Sequence, residues 1–284
     1  MGAMVTSRKL VDKKDANQPT TPIRVGESVF GQAAVPLIAG PCAVENPAQL
    51  AAVAQTLRKL GISCMRAGAF KPRTSPYTFQ GLGDEALSLL AEIRKTHQLA
   101  VVSEVMGVEH IAQARDVFDC FQVGSRNMQN FELLKALGKE EKPVLLKRGF
   151  AATLDEFLNA AEYIAAGGNT QIILCERGIR SFDPQTRNVL DLACAILLKE
   201  KTHLPVIVDP SHATGQRSLV GPAAKAAVAA GLDGLIIEAH PHPEQSVSDA
   251  DQALGLDDLE TLVPELDRIA RAVGRTIRNA GVRA

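Results

Sequence analysis

The stretch 143–178, PVLLKRGFAATLDEFLNAAEYIAAGGNTQIILCERG, reads as one strand–helix–strand unit. Pro143–Leu146 is a short apolar run without polar interruption, the pattern of a strand covered on both faces. Thr153–Ala166 places apolar residues at helical spacing and is closed by Gly167-Gly168. Gln171–Cys175 is a second apolar run. Charge follows each strand at once, as Lys147-Arg148 and then Glu176-Arg177.

The same unit recurs in both directions. Strands are predicted at Val35–Ala39, Ile62–Arg66, Leu99–Val105, Cys120–Gly124, Pro143–Leu146, Gln171–Cys175, Pro205–Val208 and Gly234–Glu238. Helices are predicted at Gln49–Leu60, Gly83–His97, Val108–Phe118, Asn130–Leu137, Thr153–Ala166, Arg187–Lys199, Leu219–Ala230 and Leu259–Ile277. Strand starts recur about every 28 residues, the length of one βα unit. Eight such units predict an α/β fold, a single closed (β/α)8 TIM barrel. An open doubly wound sheet is disfavoured, because no G-x-G-x-x-G follows the first strand. The expected division is an N-terminal extension over 1–34, holding a strand or hairpin near Thr20–Val29 over the barrel floor, and a catalytic barrel over 35–284. The extension is too short for a separate regulatory domain.

Composition narrows the function. The net charge is −1, which argues against a nucleic-acid scaffold, and 4% aromatics without Trp disfavours base stacking. No apolar run is long enough to span a membrane, and the polar Met1–Thr21 lacks the apolar core of a secretory signal. Five scattered cysteines, an odd number without CxxC, point to a reducing compartment and a cytoplasmic protein.

In a barrel the chemistry sits just past the strand ends. Two sets emerge there. Arg66, Lys71, Arg73, Arg126, Lys147 and Arg177 form a ring of cations that would repel one another without an anionic, most plausibly phosphorylated, substrate. The alternative is that they are solvated, or ion-paired to Glu104, Glu176 and Asp209. Cys42, His212, Glu238 and Asp249 come from strand ends one, seven and eight, which closure makes neighbours. A thiolate, an imidazole and two carboxylates suit a divalent metal of the Mn, Fe, Co or Zn class rather than Mg alone. For Cys42 alone, a buried structural thiol is the competing reading. Asp209 is expected to hold the Pro210–His212 turn. His97, His110 and His203 are placed at helix ends away from the mouth, and His240 and His242 are left unassigned. A Schiff-base aldolase using Lys147 is disfavoured by the adjacent Arg148 and the anion ring.

Taken together, the segments IAGPCAVE (38–45), RAGAFKPRTSPYTFQG (66–81), QVGSRNMQNFELL (122–134), PVLLKRG (143–149), IILCERGIR (172–180), VDPSHATG (208–215) and IIEAHPHPEQSVSD (236–249) closely resemble the 3-deoxy-D-arabino-heptulosonate 7-phosphate (DAHP) synthases, in the bare-barrel type Iβ form. That resemblance implies a transferase that condenses phosphoenolpyruvate with erythrose 4-phosphate and releases phosphate, the first step of the shikimate route to aromatic amino acids. It implies a divalent metal on Cys42, His212, Glu238 and Asp249. It implies phosphoenolpyruvate on Arg66, Gly124, Ser125, Arg126, Lys147 and Arg177. Erythrose 4-phosphate would meet Lys71, Pro72, Arg73 and Thr74, with Lys71, Cys42 and His212 at the reacting centre and Lys71 a candidate proton donor. It also implies a homodimer or homotetramer, and control through a partner such as a chorismate mutase. The related 3-deoxy-D-manno-octulosonate 8-phosphate synthases carry Lys-Ala-Asn-Arg-Ser/Thr where this chain has the shorter Lys71-Pro72-Arg73-Thr74.

Overall fold

The computed structural model describes residues 8–71 and 77–277, so Pro72, Arg73 and Thr74 lie outside the described residues. The described chain runs β1 (Ile23–Val25), β2 (Ser28–Phe30), β3 (Leu37–Gly40), α1 (Pro47–Lys59), β4 (Cys64–Arg66), α2 (Asp84–His97), β5 (Ala100–Glu104), α3 (Val108–Ala114), β6 (Cys120–Val123) and α4 (Phe131–Leu137). It continues as β7 (Val144–Lys147), α5 (Leu154–Ala166), β8 (Ile172–Glu176), α6 (Leu192–Lys201), β9 (Val206–Val208), α7 (Pro210–Thr214), α8 (Arg217–Ala229), β10 (Leu235–Glu238) and α9 (Leu256–Ala272). Strands β3 to β10 pair in parallel and in sequence, and β10 closes on β3 to complete an eight-stranded barrel.

The barrel places its site by parity. Along each strand alternate side chains face opposite ways. Leu37 and Ala39 pack with the helices, as do Val144 and Leu146, and Ile172 and Leu174. Ile38, Cys64, Leu145, Ile173, Ile207 and Ile236 form a separate cluster, the barrel interior. Two residues further along the interior register lie Gly40, Arg66, Lys147, Cys175, Asp209 and Glu238. The polar residues of the mouth are thus the last layer of a stack whose lower layers are aliphatic. Gly40 has φ +143°, and a Cβ there would sit 2.3 Å from the Arg66 carbonyl oxygen, so only glycine lets β3 and β4 run this close.

The hairpin β1–β2 plugs the other end, with Ile23, Val25 and Phe30 joining the interior cluster. Residues 9–11 then strap the outside of α5, where three backbone N–H groups donate to the Glu162 carboxylate. Helix α5 is well specified locally: Thr153 and Glu156 form a reciprocal capping box at its N-terminus.

Three expected helices differ, the last, expected over Leu259–Ile277, running instead over Leu256–Ala272. The segment predicted as Arg187–Lys199 becomes helical only at Leu192, where Asp191 caps the Cys194 N–H. The expected Val108–Phe118 stops at Ala114. Helix α7 was not expected. No helix among the described residues is long and apolar enough to cross a membrane.

Candidate active site

Cys42 follows β3, His212 lies on α7, Glu238 ends β10, and Asp249 lies in the loop before α9. One ligand atom from each lies within 4.8 Å of the others. The Cys42 thiol donates to Asp249 Oδ2 at 3.0 Å, and His212 Nε2 lies 3.6 Å from Glu238 Oε2. Asp249 has φ +58°, a left-handed conformation that Asp tolerates better than most residues and that often marks function.

The fit to a metal rests on this donor set and on a buried atom. Glu238 is fully buried, and its Oε1 has no hydrogen-bond partner among the described residues. Such an atom is costly unless something binds it. Burial raises Glu238 to about 7 and pushes the Cys42 thiol up. Burial lowers His212 to about 3, leaving its imidazole neutral. Although burial opposes it, Asp249 is held below the usual carboxylate range by His212, the Cys42 thiol, Arg187 and Lys71.

His212 is aimed by Asp209. Pro210 opens α7, and Asp209 Oδ1 accepts the His212 N–H at 2.9 Å. Asp209 Oδ2 lies 2.8 Å from His212 Nδ1, out of hydrogen-bond alignment but close enough that the carboxylate favours the proton on Nδ1 and leaves the Nε2 lone pair facing Cys42 and Glu238. The same carboxylate accepts from Lys147 Nζ at 2.5 Å. Lys71 Nζ reaches Cys42 Sγ at 2.7 Å and its carbonyl oxygen at 3.1 Å.

Beside this cluster opens a cavity of about 330 Å³ whose lining includes Arg66, Lys71, Gly124, Ser125, Arg126, Lys147, Arg177, His212 and Asp249. The cations are neutralised unevenly. Lys147 pairs with Asp209, and Arg66 lies 3.6 Å from Glu238. Arg126, Arg177 and Arg180 instead lean on the Phe150 ring, at 5.5, 4.7 and 5.4 Å from its centroid. Arg66 Nη1 and Ser125 Oγ are buried without a hydrogen-bond partner among the described residues.

Several readings need correction. Arg148 does not share a face with Lys147: parity turns it outward, onto Glu176 at 2.8 Å and Asp191 at 3.3 Å. Its proximity in sequence is therefore no argument about Lys147, whereas the Lys147–Asp209 ion pair does argue against an amine nucleophile there. Glu176 is consequently not a counter-ion of the ring. His110 is not remote: it stands in the first turn of α3, at the mouth end, with its ring stacked 3.8 Å from that of Phe70. His240 is buried with Nε2 3.3 Å from Glu45, and the same carboxylate takes the Val247 N–H, steadying the loop that leads to Asp249. His242 is exposed.

Sequence reasoning missed Arg187, Phe150, Arg180 and Gln252. Arg187 was assigned to a helix, Phe150 and Arg180 lie three and four residues past their strands, and Gln252 carries no charge to draw attention. The parity of β10 and the loop return at Ala239–Leu254 would have placed Gln252 near Glu238.

The profile of the DAHP synthetase I family matches residues 17–273. Phospho-2-dehydro-3-deoxyheptonate aldolase of Thermotoga maritima is 46% identical over 266 residues, covering 94% of this chain and 78% of that protein. A crystal structure of that aldolase superposes with a TM-score of 0.90 at 44% identity, over 94% of this chain and 78% of the other. A truncated form of 3-deoxy-D-arabino-heptulosonate 7-phosphate synthase from the same organism gives 0.87 at 42% identity, over 94% and 98%. At greater distance, 2-dehydro-3-deoxyphosphooctonate aldolase of Desulfotalea psychrophila is 31% identical over 255 residues, 84% of this chain and 90% of that one.

Proposed function

The chain belongs to the DAHP synthetase I family, and on that premise we propose that its barrel mouth condenses phosphoenolpyruvate with erythrose 4-phosphate, giving DAHP and phosphate. The observation that carries this reading is one cavity with two unlike walls. One wall, at His212 and Asp249, belongs to the Cys/His/Glu/Asp cluster; the other holds arginines turned toward an aromatic ring rather than toward carboxylates. The first suits a divalent metal of the Mn, Fe, Co or Zn class on Cys42, His212, Glu238 and Asp249. The second suits the phosphate and carboxylate of phosphoenolpyruvate on Arg126, Lys147 and Arg177, with Arg66, Gly124 and Ser125 completing the cradle.

A bound metal would supply Lewis acidity at the aldehyde oxygen of the acceptor. The chain's own residues do the rest. The cations hold two anionic substrates side by side against their repulsion, a proximity contribution. Carbon 3 of phosphoenolpyruvate attacks the aldehyde carbon, water adds at carbon 2, and phosphate leaves with cleavage of its bond to carbon 2. Arg126 and Arg177 stabilise the negative charge that builds on the departing phosphate. Lys71, between Cys42 and the cavity, is placed to give a proton to the new alkoxide. Lys71, Pro72, Arg73 and Thr74 are the proposed erythrose 4-phosphate segment.

We place the catalytic unit at 35–284 and the extension at 1–34. The protein is proposed to act in the cytoplasm, as a homodimer or homotetramer, open to control by a partner such as a chorismate mutase. The deciding experiment measures phosphate released from phosphoenolpyruvate with either erythrose 4-phosphate or arabinose 5-phosphate, before and after chelation. Turnover with the four-carbon acceptor, lost on chelation and restored by divalent metal, is expected. Preference for arabinose 5-phosphate would overturn the acceptor assignment, and full activity after chelation the metal.

A further inference from the structure

Arg187 sits just outside the metal-ligand cluster yet touches much of what supports it. Its Nη1 donates to Asp249 Oδ1 at 2.9 Å and to Gln252 Oε1 at 2.8 Å. Gln252 is buried, and its amide Nε2 donates in turn to Glu238 Oε2 at 2.7 Å. A continuous chain, Asp249–Arg187–Gln252–Glu238, therefore joins the two carboxylates. The third ligand is tied in through the backbone. Arg187 N–H donates to Thr214 O at 3.0 Å and Asn188 N–H to Ala213 O at 2.8 Å, both at the end of the helix that carries His212. Asn188 also donates through its side chain to His212 O at 3.2 Å. Gly215 makes room for this docking: it has φ +69°, and a Cβ there would sit 2.6 Å from Arg187 Cβ.

We infer that Arg187 and Gln252 are positioning residues of the metal centre, a brace that fixes the second oxygens of Asp249 and Glu238 relative to His212. The chemistry supports the arrangement. Each carboxylate has one oxygen engaged by the brace, Asp249 Oδ1 and Glu238 Oε2. Asp249 Oδ2 stays beside Cys42 Sγ, and Glu238 Oε1 stays without a partner among the described residues. A carboxylate fixed by one oxygen presents the other in a set direction, and ligands braced this way bind metal more tightly than free ones. The Arg187 side chain is partly exposed, so its pair with Asp249 contributes little to stability alone. The effect belongs to ligand orientation.

This inference rests on the metal reading above, and its test uses Co2+ alone, without substrates, because Arg187 also lines the cavity. Co2+ affinity and the visible absorption spectrum are measured for the wild type, R187A, R187K, Q252M and R187A/Q252M. Each of R187A and Q252M should weaken Co2+ binding by roughly ten- to a hundredfold and shift the absorption bands. R187K should recover most of the loss, because both hydrogen bonds leave from one nitrogen and an ammonium supplies the same donors. The double variant should be little worse than the worse single one, since both break one chain. Wild-type affinity and spectrum in R187A and Q252M, whatever happens to melting temperature, would overturn the brace. Additive losses in the double variant would overturn the chain between its two members. A wild type that binds no Co2+ would overturn the metal reading and the brace with it.

Discussion

Asp209→Asn tests the centre of the site with a change of one atom. Asp209 is fully buried and serves three groups: it caps the His212 N–H, it stands 2.8 Å from His212 Nδ1, and it neutralises Lys147. An asparagine keeps the cap through its carbonyl oxygen. Its amide nitrogen then faces Lys147 Nζ and His212 Nδ1 with hydrogens instead of lone pairs. Lys147 is left buried without its counter-charge, and breaking a buried pair in this way costs about 3–5 kcal/mol. At the lower end, a domain of this size would lose roughly 6–12 °C in melting temperature. His212 can answer the new donor only by moving its proton to Nε2, which removes the lone pair that faces Cys42 and Glu238. Metal affinity should therefore fall by about a hundredfold, the upper range for the loss of a ligand's partner. The two effects separate in D209N/K147M, which removes the stranded charge: melting temperature should recover while metal affinity stays low. Differential scanning calorimetry of the metal-free protein and titration calorimetry with Co2+ measure them. Wild-type melting temperature and affinity in D209N would refute the assignment of both proton and ion pair.

Cys42→Ala should abolish tight metal binding with the barrel still folded, checked by Co2+ titration and circular dichroism. Metal affinity of the unchanged protein should rise between about pH 6 and pH 8, because the proton competes with the metal for each ligand. Burial pushes the Cys42 thiol above its ordinary value and brings the Glu238 carboxyl to about 7, so both release protons on binding, while His212, lowered to about 3, is already neutral. Proton release measured in buffers of different ionisation enthalpy checks the sign; affinity that falls with pH would contradict it. Phe150→Leu should raise the KM for phosphoenolpyruvate about tenfold with little change in kcat, since three guanidinium contacts of about 0.5–1 kcal/mol each hold the cradle in place. Steady-state kinetics separate the two constants.

The barrel was legible because its signal is local and repeated: apolar runs ended by charge, each followed by a helical period. Six of the site's side chains could be named for a related reason, since Arg66, Lys147, Arg177 and Glu238 end or directly follow strands whose ends must converge, and Cys42 and His212 bring metal-ligand chemistry within four residues of such ends. Asp249 was named from its place in the loop after the eighth strand, and the family resemblance then supported it. What stayed hidden depends on which way a residue points. Lys147 and Arg148 are neighbours in sequence yet face opposite sides of the sheet, and only the register reveals that the first meets Asp209 and the second Glu176. Arg187 was hidden for a different reason. Its segment has helical spacing, but Asp191 caps the helix further on, and the freed residues dock on α7 instead.

The ring of cations read from sequence as one object divides in space. On the metal side, Lys147 is balanced by Asp209, Arg66 lies near Glu238, and Arg187 pairs with Asp249. On the other side, no carboxylate among the described residues lies within ion-pair distance of Arg126, Arg177 or Arg180, and Phe150 stands where a counter-ion would be. An aromatic face holds a guanidinium in place without cancelling its charge, and the carbonyls of His212 and Gly178 that accept from Arg177 do not cancel it either. A carboxylate would hold it equally well and cancel it. The distinction decides where an anion goes. An incoming phosphate at Lys147 or Arg187 must compete with an acid already there, whereas at Phe150 it meets positive charge that the fold has fixed but not neutralised. The near-zero net charge of the chain is therefore compatible with a strongly anion-selective mouth, because selectivity comes from the unneutralised cations on one wall and not from the sum.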